Sequence, residues 1–170
     1  DLSQNVALCT LFCYTNQLTS LDVSKNTALT YLSCYSNQLT SLDVSKNTAL
    51  ITLLCNSNQL TSLDVSKNVA LCTLYCYENP FTTGGYDSLM CSLPSVSGTA
   101  GKFYPLSSSS DANATAFAAS NSLNAKAKNW NVQYINGGAE IPATSGNYDC
   151  SGANMSRYIT LNVAKDSLIS

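Results

Sequence analysis

The chain has 170 residues and a net charge of −2, and 11% of its residues are charged. It contains no histidine, and ten tyrosines contribute to its polarity together with serine, threonine and asparagine. Because no basic patch is visible, nucleic acid and anionic membranes are not expected partners. No stretch approaches the roughly 18 apolar residues that span a bilayer, so the sequence predicts no direct membrane insertion.

The first half of the chain is repetitive. The phrase LTSLDVSKN occurs three times, beginning at Leu18, Leu39 and Leu60, with a constant shift of 21 residues. A fixed period of roughly 20 to 29 residues with leucines in register is typical of the leucine-rich repeat, in which each repeat is one coil of a solenoid. The sequence therefore predicts a leucine-rich-repeat solenoid of 21-residue repeats, mostly β with short turns, over residues 1–81. The match reaches back to Asp1, so we expect these coils to be the last of a longer array.

Each period contains the pattern LxxLxCxxNxL, which places one cysteine and one asparagine at fixed positions. An inward thiol behaves as a small apolar group, and an inward asparagine amide can satisfy backbone groups that a sharp turn leaves unpaired. We predict that both columns are structural. The cysteine ladder consists of Cys13, Cys34, Cys55 and Cys76, and the asparagine ladder consists of Asn16, Asn37, Asn58 and Asn79.

Other roles for the cysteines are weaker. Metal-binding cysteines normally come in close pairs, whereas these occur once per coil, so the sequence predicts no metal site and no cofactor. Disulfides within the ladder are disfavoured because in-register side chains of parallel strands point the same way. Cys9 and Cys72 lie three coils apart, about 14 Å, which is too far to bridge. Whether Cys91 and Cys150 form a disulfide stays open, since pairing cannot be deduced from sequence.

The repeat breaks after Asn79, where Pro80 removes a backbone donor. The following pattern predicts an α/β C-terminal cap over residues 82–136 and a linker with one further strand over 137–170. We expect the last strand either to pair with the cap or to open a following β module. The predicted elements are a helix from Tyr86 to Leu93, a strand from Lys102 to Leu106, a helix from an Asp111 N-cap to Lys128, a strand from Trp130 to Ile135 and a strand from Arg157 to Val163.

A candidate binding surface follows from the residues between the inward ones, which should face the concave side of the solenoid. Six of the twelve residues in these columns are aromatic. Exposed tyrosines provide a large contact area at little entropic cost and recur at interfaces, although aromatic residues also favour strands for their own sake. The candidate binding residues are Phe12, Tyr14, Tyr31, Tyr35, Leu54, Asn56, Tyr75 and Tyr77.

The period, the cysteine that replaces a leucine and the LTSLDVSKN phrase resemble the internalin J-like leucine-rich-repeat proteins over residues 1–81. The segments NPFTTGGYDSLMCSLP and AKNWNVQY are similar to the C-terminal caps of Porphyromonas-type internalins from Bacteroidetes. The resemblance implies an extracellular bacterial protein, on the cell surface or secreted. It also implies a role in adhesion, host contact or biofilm formation, with a protein or a glycan as the partner.

Three classes of function can be compared. The aromatic columns favour a protein-binding module, and the alternative is a structural stalk that presents other modules. A stalk should tolerate loss of Tyr31, Tyr35, Tyr75 and Tyr77. An enzyme is not predicted, because the chain has no histidine, no convergent acid pair and no nucleophile motif.

Overall fold

The structure is a computed structural model that describes residues 1–150. The strand predicted over residues 157–163 lies outside the described residues. Within the described part, six parallel strands form one open sheet, and each strand pairs with the next one in chain order. Among these residues no helix combines the length and the apolar character needed to cross a membrane.

The repeats contribute four short strands with a constant register. Each strand residue pairs with the residue 21 positions further along the chain, as Thr10 does with Tyr31. This parallel, in-register stacking is the architecture of a repeat solenoid. The strands are β1 (Thr10–Phe12), β2 (Tyr31–Ser33), β3 (Thr52–Leu54) and β4 (Thr73–Tyr75).

The sheet continues beyond the repeats with larger connecting units. Thr73 of β4 pairs with Lys102, so the step to the fifth strand is longer than the step between repeats. The fifth strand then pairs with the sixth, again in parallel. The elements of this part are α1 (Thr83–Ser92), β5 (Gly101–Leu106), α2 (Ala114–Ala118), α3 (Leu123–Lys126) and β6 (Trp130–Tyr134).

One continuous core runs beneath the whole sheet. The central residue of each strand from β2 to β4 points inward, and the same inward column extends into β5 and β6. Full burial of such a side chain contributes about 1.5–3 kcal/mol. The members of this column, each 0% exposed, are Leu32, Leu53, Leu74, Phe103 and Val132.

Helix α1 begins three residues before the predicted start at Tyr86. The Thr82 side chain accepts a hydrogen bond from the Gly85 N–H at 3.0 Å and caps the helix there. Gly85 lies against the third repeat, where a Cβ would come within 2.4 Å of the Thr61 carbonyl oxygen. Glycine at this position therefore allows α1 to pack closely on the last coils.

The single helix predicted from Asp111 to Lys128 is wrong, because the segment forms two short helices, α2 and α3. Asp111 does not cap either helix; its Oδ2 accepts from the Ser107 N–H at 2.9 Å and its Oδ1 from the Asn113 N–H at 2.9 Å. Serine side chains compete with helical bonding at the break, where Ser120 Oγ donates to the Phe117 carbonyl oxygen at 2.6 Å.

Burial differs between the two short helices. Phe117 of α2 is buried, whereas Leu123 at the start of α3 is 46% exposed. On α3, Ala125 is buried instead.

The open question of the cysteines is answered by a disulfide between Cys91 and Cys150, which joins the end of α1 to the end of the described chain.

Candidate binding surface on the sheet

Aromatic side chains cover the outward face of the sheet, and we call them the aromatic strip: Phe12, Tyr14, Tyr31, Tyr35, Tyr75, Tyr77 and Tyr104. They lie on or directly after strands β1, β2, β4 and β5. The in-register pairing of the strands brings equivalent residues of neighbouring coils about 4.8 Å apart, so rings in one column can contact each other.

The first part of the strip lies on β1 and β2. The rings of Tyr14 and Tyr35 are stacked, with their centroids 4.7 Å apart and their planes 4° from parallel. Phe12 packs on Tyr31 at 5.3 Å in a tilted arrangement. Phe12 is 62% exposed and Tyr14 is 43% exposed, so this group presents a large apolar surface to solvent.

The second part lies on β4 and β5. The Tyr75 and Tyr104 ring centroids are 4.4 Å apart, and the two residues are register partners. Tyr104 was missed in the sequence because a step of 21 residues from Tyr75 leads to Val96. The strand predicted from Lys102 to Leu106 could have identified Tyr104, because pairing of Phe103 with Leu74 places Tyr104 in the Tyr75 column.

Between these two groups, the third coil carries Leu54 and Asn56. Leu54 is half-buried, but Asn56 is 5% exposed, so its expected role as an exposed contact is wrong. Tyr35 and Tyr77 belong to the same column on the adjacent coils and flank it, and the Asn56 side chain partly offsets the rise in the pKa of Tyr77 that burial causes. Asn56 Nδ2 also donates to Ser57 Oγ at 3.3 Å. Asn56 therefore positions its neighbours and offers little surface of its own.

A carboxylate that was not predicted lies at the edge of the strip. Ser57 Oγ donates to Glu78 Oε2 at 2.7 Å, and Glu78 is exposed. Glu78 occupies the turn after β4, at the position where every coil has a residue with positive φ. The repeat pattern does not indicate a carboxylate here, because Thr15, Ser36 and Ser57 occupy the equivalent positions.

The phenols of Tyr75 and Tyr77 stay neutral at physiological pH. Burial, followed by the proximity of Tyr104, raises the pKa of Tyr75 to about 12. Burial also raises the pKa of Tyr77, with further contributions from Glu78 and Tyr35. Neutral phenols can both donate and accept hydrogen bonds, so the strip combines apolar rings with polar edges.

The asparagine ladder lies directly beneath the turns that follow the strands. Asn58 Nδ2 donates to the carbonyl oxygens of Cys34 and Cys55, each at 3.1 Å, and Asn58 Oδ1 accepts from the Leu39 N–H at 3.0 Å. Asn37 and Asn79 repeat this arrangement, one coil before and one coil after. Asn16 is exposed and bonds within its own coil. The buried amides therefore tie each coil to the preceding one.

The cysteine column carries unpaired thiols along the inside of the same turns. Cys34, Cys55 and Cys76 are buried, and Cys13 is half-buried. Cys55 Sγ donates to the Tyr75 carbonyl oxygen at 3.5 Å. Burial raises the pKa of all four thiols, so they stay protonated and are poor nucleophiles or metal ligands.

Taken as a class, the described chain is a repeat solenoid with an internal cysteine column and with aromatic residues on the outer face of its parallel sheet. No protein-family model matches it, and no curated protein matches it.

Among solved structures, the chain is similar to the functional domain of InlJ from Listeria monocytogenes, which includes a cysteine ladder. The identity is 51%, the match covers 48% of this chain and 18% of that chain, and the TM-score is 0.47. The chain thus corresponds to a small part of that structure. No comparison bears on the expected Porphyromonas-type origin.

Proposed function

We propose that this chain is a non-catalytic protein-binding module of a bacterial surface or secreted protein, internalin-like in its repeats. It acts in attachment to host or other cells, or in biofilm formation, through the aromatic strip. One observation carries the proposal: rings from four strands lie on the same face of the sheet, and Phe12 and Tyr14 among them are 62% and 43% exposed. Exposed apolar rings that are grouped on one face of a protein are typical of interaction sites.

The strip is also ordered before any partner arrives. The Tyr14 and Tyr35 rings already stack, and Tyr75 already packs on Tyr104. The asparagine ladder fixes the coils beneath them. A rigid aromatic surface loses little conformational entropy on binding, so more of the contact energy is available for affinity.

In this proposal residues 1–81 are the 21-residue repeats, and residues 82–136 form their C-terminal cap. Support for the cap comes from the inward column, in which Phe103 and Val132 continue the line of buried leucines. Helix α1 covers the last coil, where Tyr86 packs on Phe81 with ring centroids 5.1 Å apart. The cap thereby covers apolar surface that the last repeat would otherwise expose.

The proposal is tested by adhesion of cells that display the protein. Tyr31, Tyr35, Tyr75 and Tyr77 are replaced together by serine, and circular dichroism and thermal unfolding establish that the variant is folded. We expect adhesion to fall to the level of cells that lack the protein. The control is Tyr148→Ser, which removes an exposed tyrosine that lies outside the strip.

Unchanged adhesion by the folded serine variant would overturn the proposal. The solenoid would then be a structural stalk that presents other modules. Treatment of the target cells with a protease or with a glycosidase distinguishes a protein partner, which we favour, from a glycan.

A further inference from the structure

Glu78 is placed as a charged corner of the aromatic strip. Ser57 engages its Oε2 atom, and no partner for Oε1 is found among residues 1–150. The ion pair formed within this range joins Lys126 and Glu140, far along the chain, and does not involve Glu78. An exposed carboxylate without a cation is available to a charged group of another molecule.

The surroundings of this carboxylate are aromatic. Glu78 directly follows Tyr77, and the pKa of the Tyr77 phenol is raised mainly by burial, with further contributions from the charge of Glu78 and from Tyr35. Asn56, which lies in the same column as Tyr77, donates through its Nδ2 to the same Ser57 hydroxyl that donates to Glu78. The amide, the hydroxyl and the carboxylate thus form one connected group beside Tyr77.

The charges of the sheet surface are separated along the strand direction. Lys102 is the register partner of Thr73, at the start of β4, whereas Glu78 follows the end of β4. The strip is therefore negative and aromatic where β4 ends, near Glu78, and positive where β4 begins, near Lys102. This polarity favours a cation over an anion at the corner formed by Tyr35, Tyr77 and Glu78.

We propose that this corner binds the guanidinium group of an arginine side chain on the protein partner. Arginine fits both features, since its planar cation stacks on tyrosine rings and forms charge-assisted hydrogen bonds with a carboxylate. The inference rests on the proposed function, because the arginine belongs to the protein that the aromatic strip binds.

The test uses the full chain, immobilised, and a displayed library of random peptides as the probe. Peptides are selected on the wild-type protein, counter-selected on the variant that lacks Tyr31, Tyr35, Tyr75 and Tyr77, and sequenced. We expect arginine to be enriched in the selected peptides. The best peptide is then synthesised with arginine and with citrulline, which has nearly the same shape without the charge.

Citrulline is expected to weaken binding to the wild-type protein about three- to tenfold, and Glu78→Gln should weaken binding of the arginine peptide by a similar factor. Glu78→Gln keeps an oxygen that can accept from Ser57, so folding should be unaffected. Glu140→Gln makes the same change outside the strip and should leave affinity unchanged.

The outcomes separate the two proposals. Tyrosine-dependent peptides without enriched arginine, or with affinity insensitive to Glu78→Gln, would overturn the arginine site and leave the binding module standing. Failure to obtain any peptide that depends on the tyrosines would overturn both.

Discussion

The ring of Tyr14 lies parallel to the ring of Tyr35 at a centroid distance of 4.7 Å. This distance equals the usual spacing of neighbouring strands, about 4.8 Å, so the stack is a direct consequence of the 21-residue register. Equivalent residues of successive coils stand side by side, and aromatic rings in one column must contact each other. The stack therefore links the repeat period to the shape of the proposed binding surface.

A double-mutant cycle should detect this contact in stability. We expect Tyr14→Leu and Tyr35→Leu to couple by about 0.5–1.5 kcal/mol in urea unfolding, because an aromatic pair contributes that much beyond the area it buries. Tyr14→Leu and Tyr75→Leu, which lie three coils apart, should be additive. Additivity of the Tyr14 and Tyr35 changes would contradict the stacked arrangement.

Replacing an asparagine of the ladder by alanine should destabilise the protein to an extent that depends on whether that asparagine is buried. Asn58→Ala leaves the buried Leu39 N–H without its partner and removes one of the two amide donors to each of the Cys34 and Cys55 carbonyl oxygens, which keep Asn37 and Asn79. The unsatisfied N–H costs about 1–3 kcal/mol and each lost hydrogen bond about 0.5–1.5 kcal/mol, so we expect a loss of at least about 2 kcal/mol in the free energy of unfolding.

The matched control is Asn16→Ala, in the same column. Asn16 is exposed, and water can replace its contacts. Its loss should cost less than about 1 kcal/mol. Equal losses in the free energy of unfolding at both positions, measured by urea unfolding, would show that burial does not determine how much the ladder asparagines stabilise the protein.

Glycine should stabilise the protein at the turn positions after the strands that have positive φ. Ser36 has φ of 53°, in the left-handed region, where a side chain costs about 1–2 kcal/mol relative to glycine. Ser36→Gly should therefore raise the free energy of unfolding, by up to about 1 kcal/mol after the entropy of the unfolded glycine is included. Ser41→Gly, at a position without positive φ, should be neutral or destabilising, and the reverse order would argue against this backbone conformation.

The sequence was most informative where one physical constraint repeats. A constant register forces the inward columns to keep the same residue type, so the positions of Leu32, Leu53 and Leu74 could be read from the period. The outward columns carry no such constraint. Asn56 is 5% exposed although Tyr35 and Tyr77 occupy the same column on the adjacent coils, and the pattern does not contain the side-chain conformations that decide such burial.

Beyond the last repeat the period itself fails. Helix α1 lengthens the connection between β4 and β5, so Tyr104 joins the strip at a position that extrapolation assigns to Val96. The break between α2 and α3 depends on tertiary bonds, as in the exchange between Ser122 and Thr144, in which each backbone N–H donates to the hydroxyl of the other residue. Helical spacing alone does not reveal such partners.

Thiol reactivity should follow burial. At pH 8.5 we expect iodoacetamide to modify exposed Cys9 at least tenfold faster than Cys34, Cys55 and Cys76, since burial limits access and raises the pKa of those three thiols. Mass spectrometry of proteolytic fragments measures each site, and urea-unfolded protein should react evenly. Rapid modification of Cys34 in the folded protein would contradict a closed core.

The last prediction concerns Asp87, a buried carboxylate on α1. Its Oδ1 accepts from the Asn121 N–H at 2.8 Å and so connects α1 to the break before α3. Burial raises the pKa of Asp87 above the ordinary value of 3.8, and the hydrogen bond offsets this in part. The native protein therefore holds this proton more tightly than the unfolded chain does. Its contribution to stability is greatest below pH 3.8 and falls as the pH rises through the native pKa.

Asp87→Asn keeps an acceptor for Asn121 and removes the charge. At pH 7 the variant should match or exceed the wild type in its free energy of unfolding, and this difference should shrink as the pH falls below 3.8. Asp43→Asn is the control of opposite sign, because the Ser45 N–H lowers the pKa of Asp43 and stabilises its carboxylate. That variant should lose stability at pH 7 and approach the wild type in acid. Urea unfolding from pH 3 to pH 7 measures both variants. If Asp87→Asn has a lower free energy of unfolding than the wild type, and this difference grows with pH, then the ionised carboxylate stabilises the protein despite its burial.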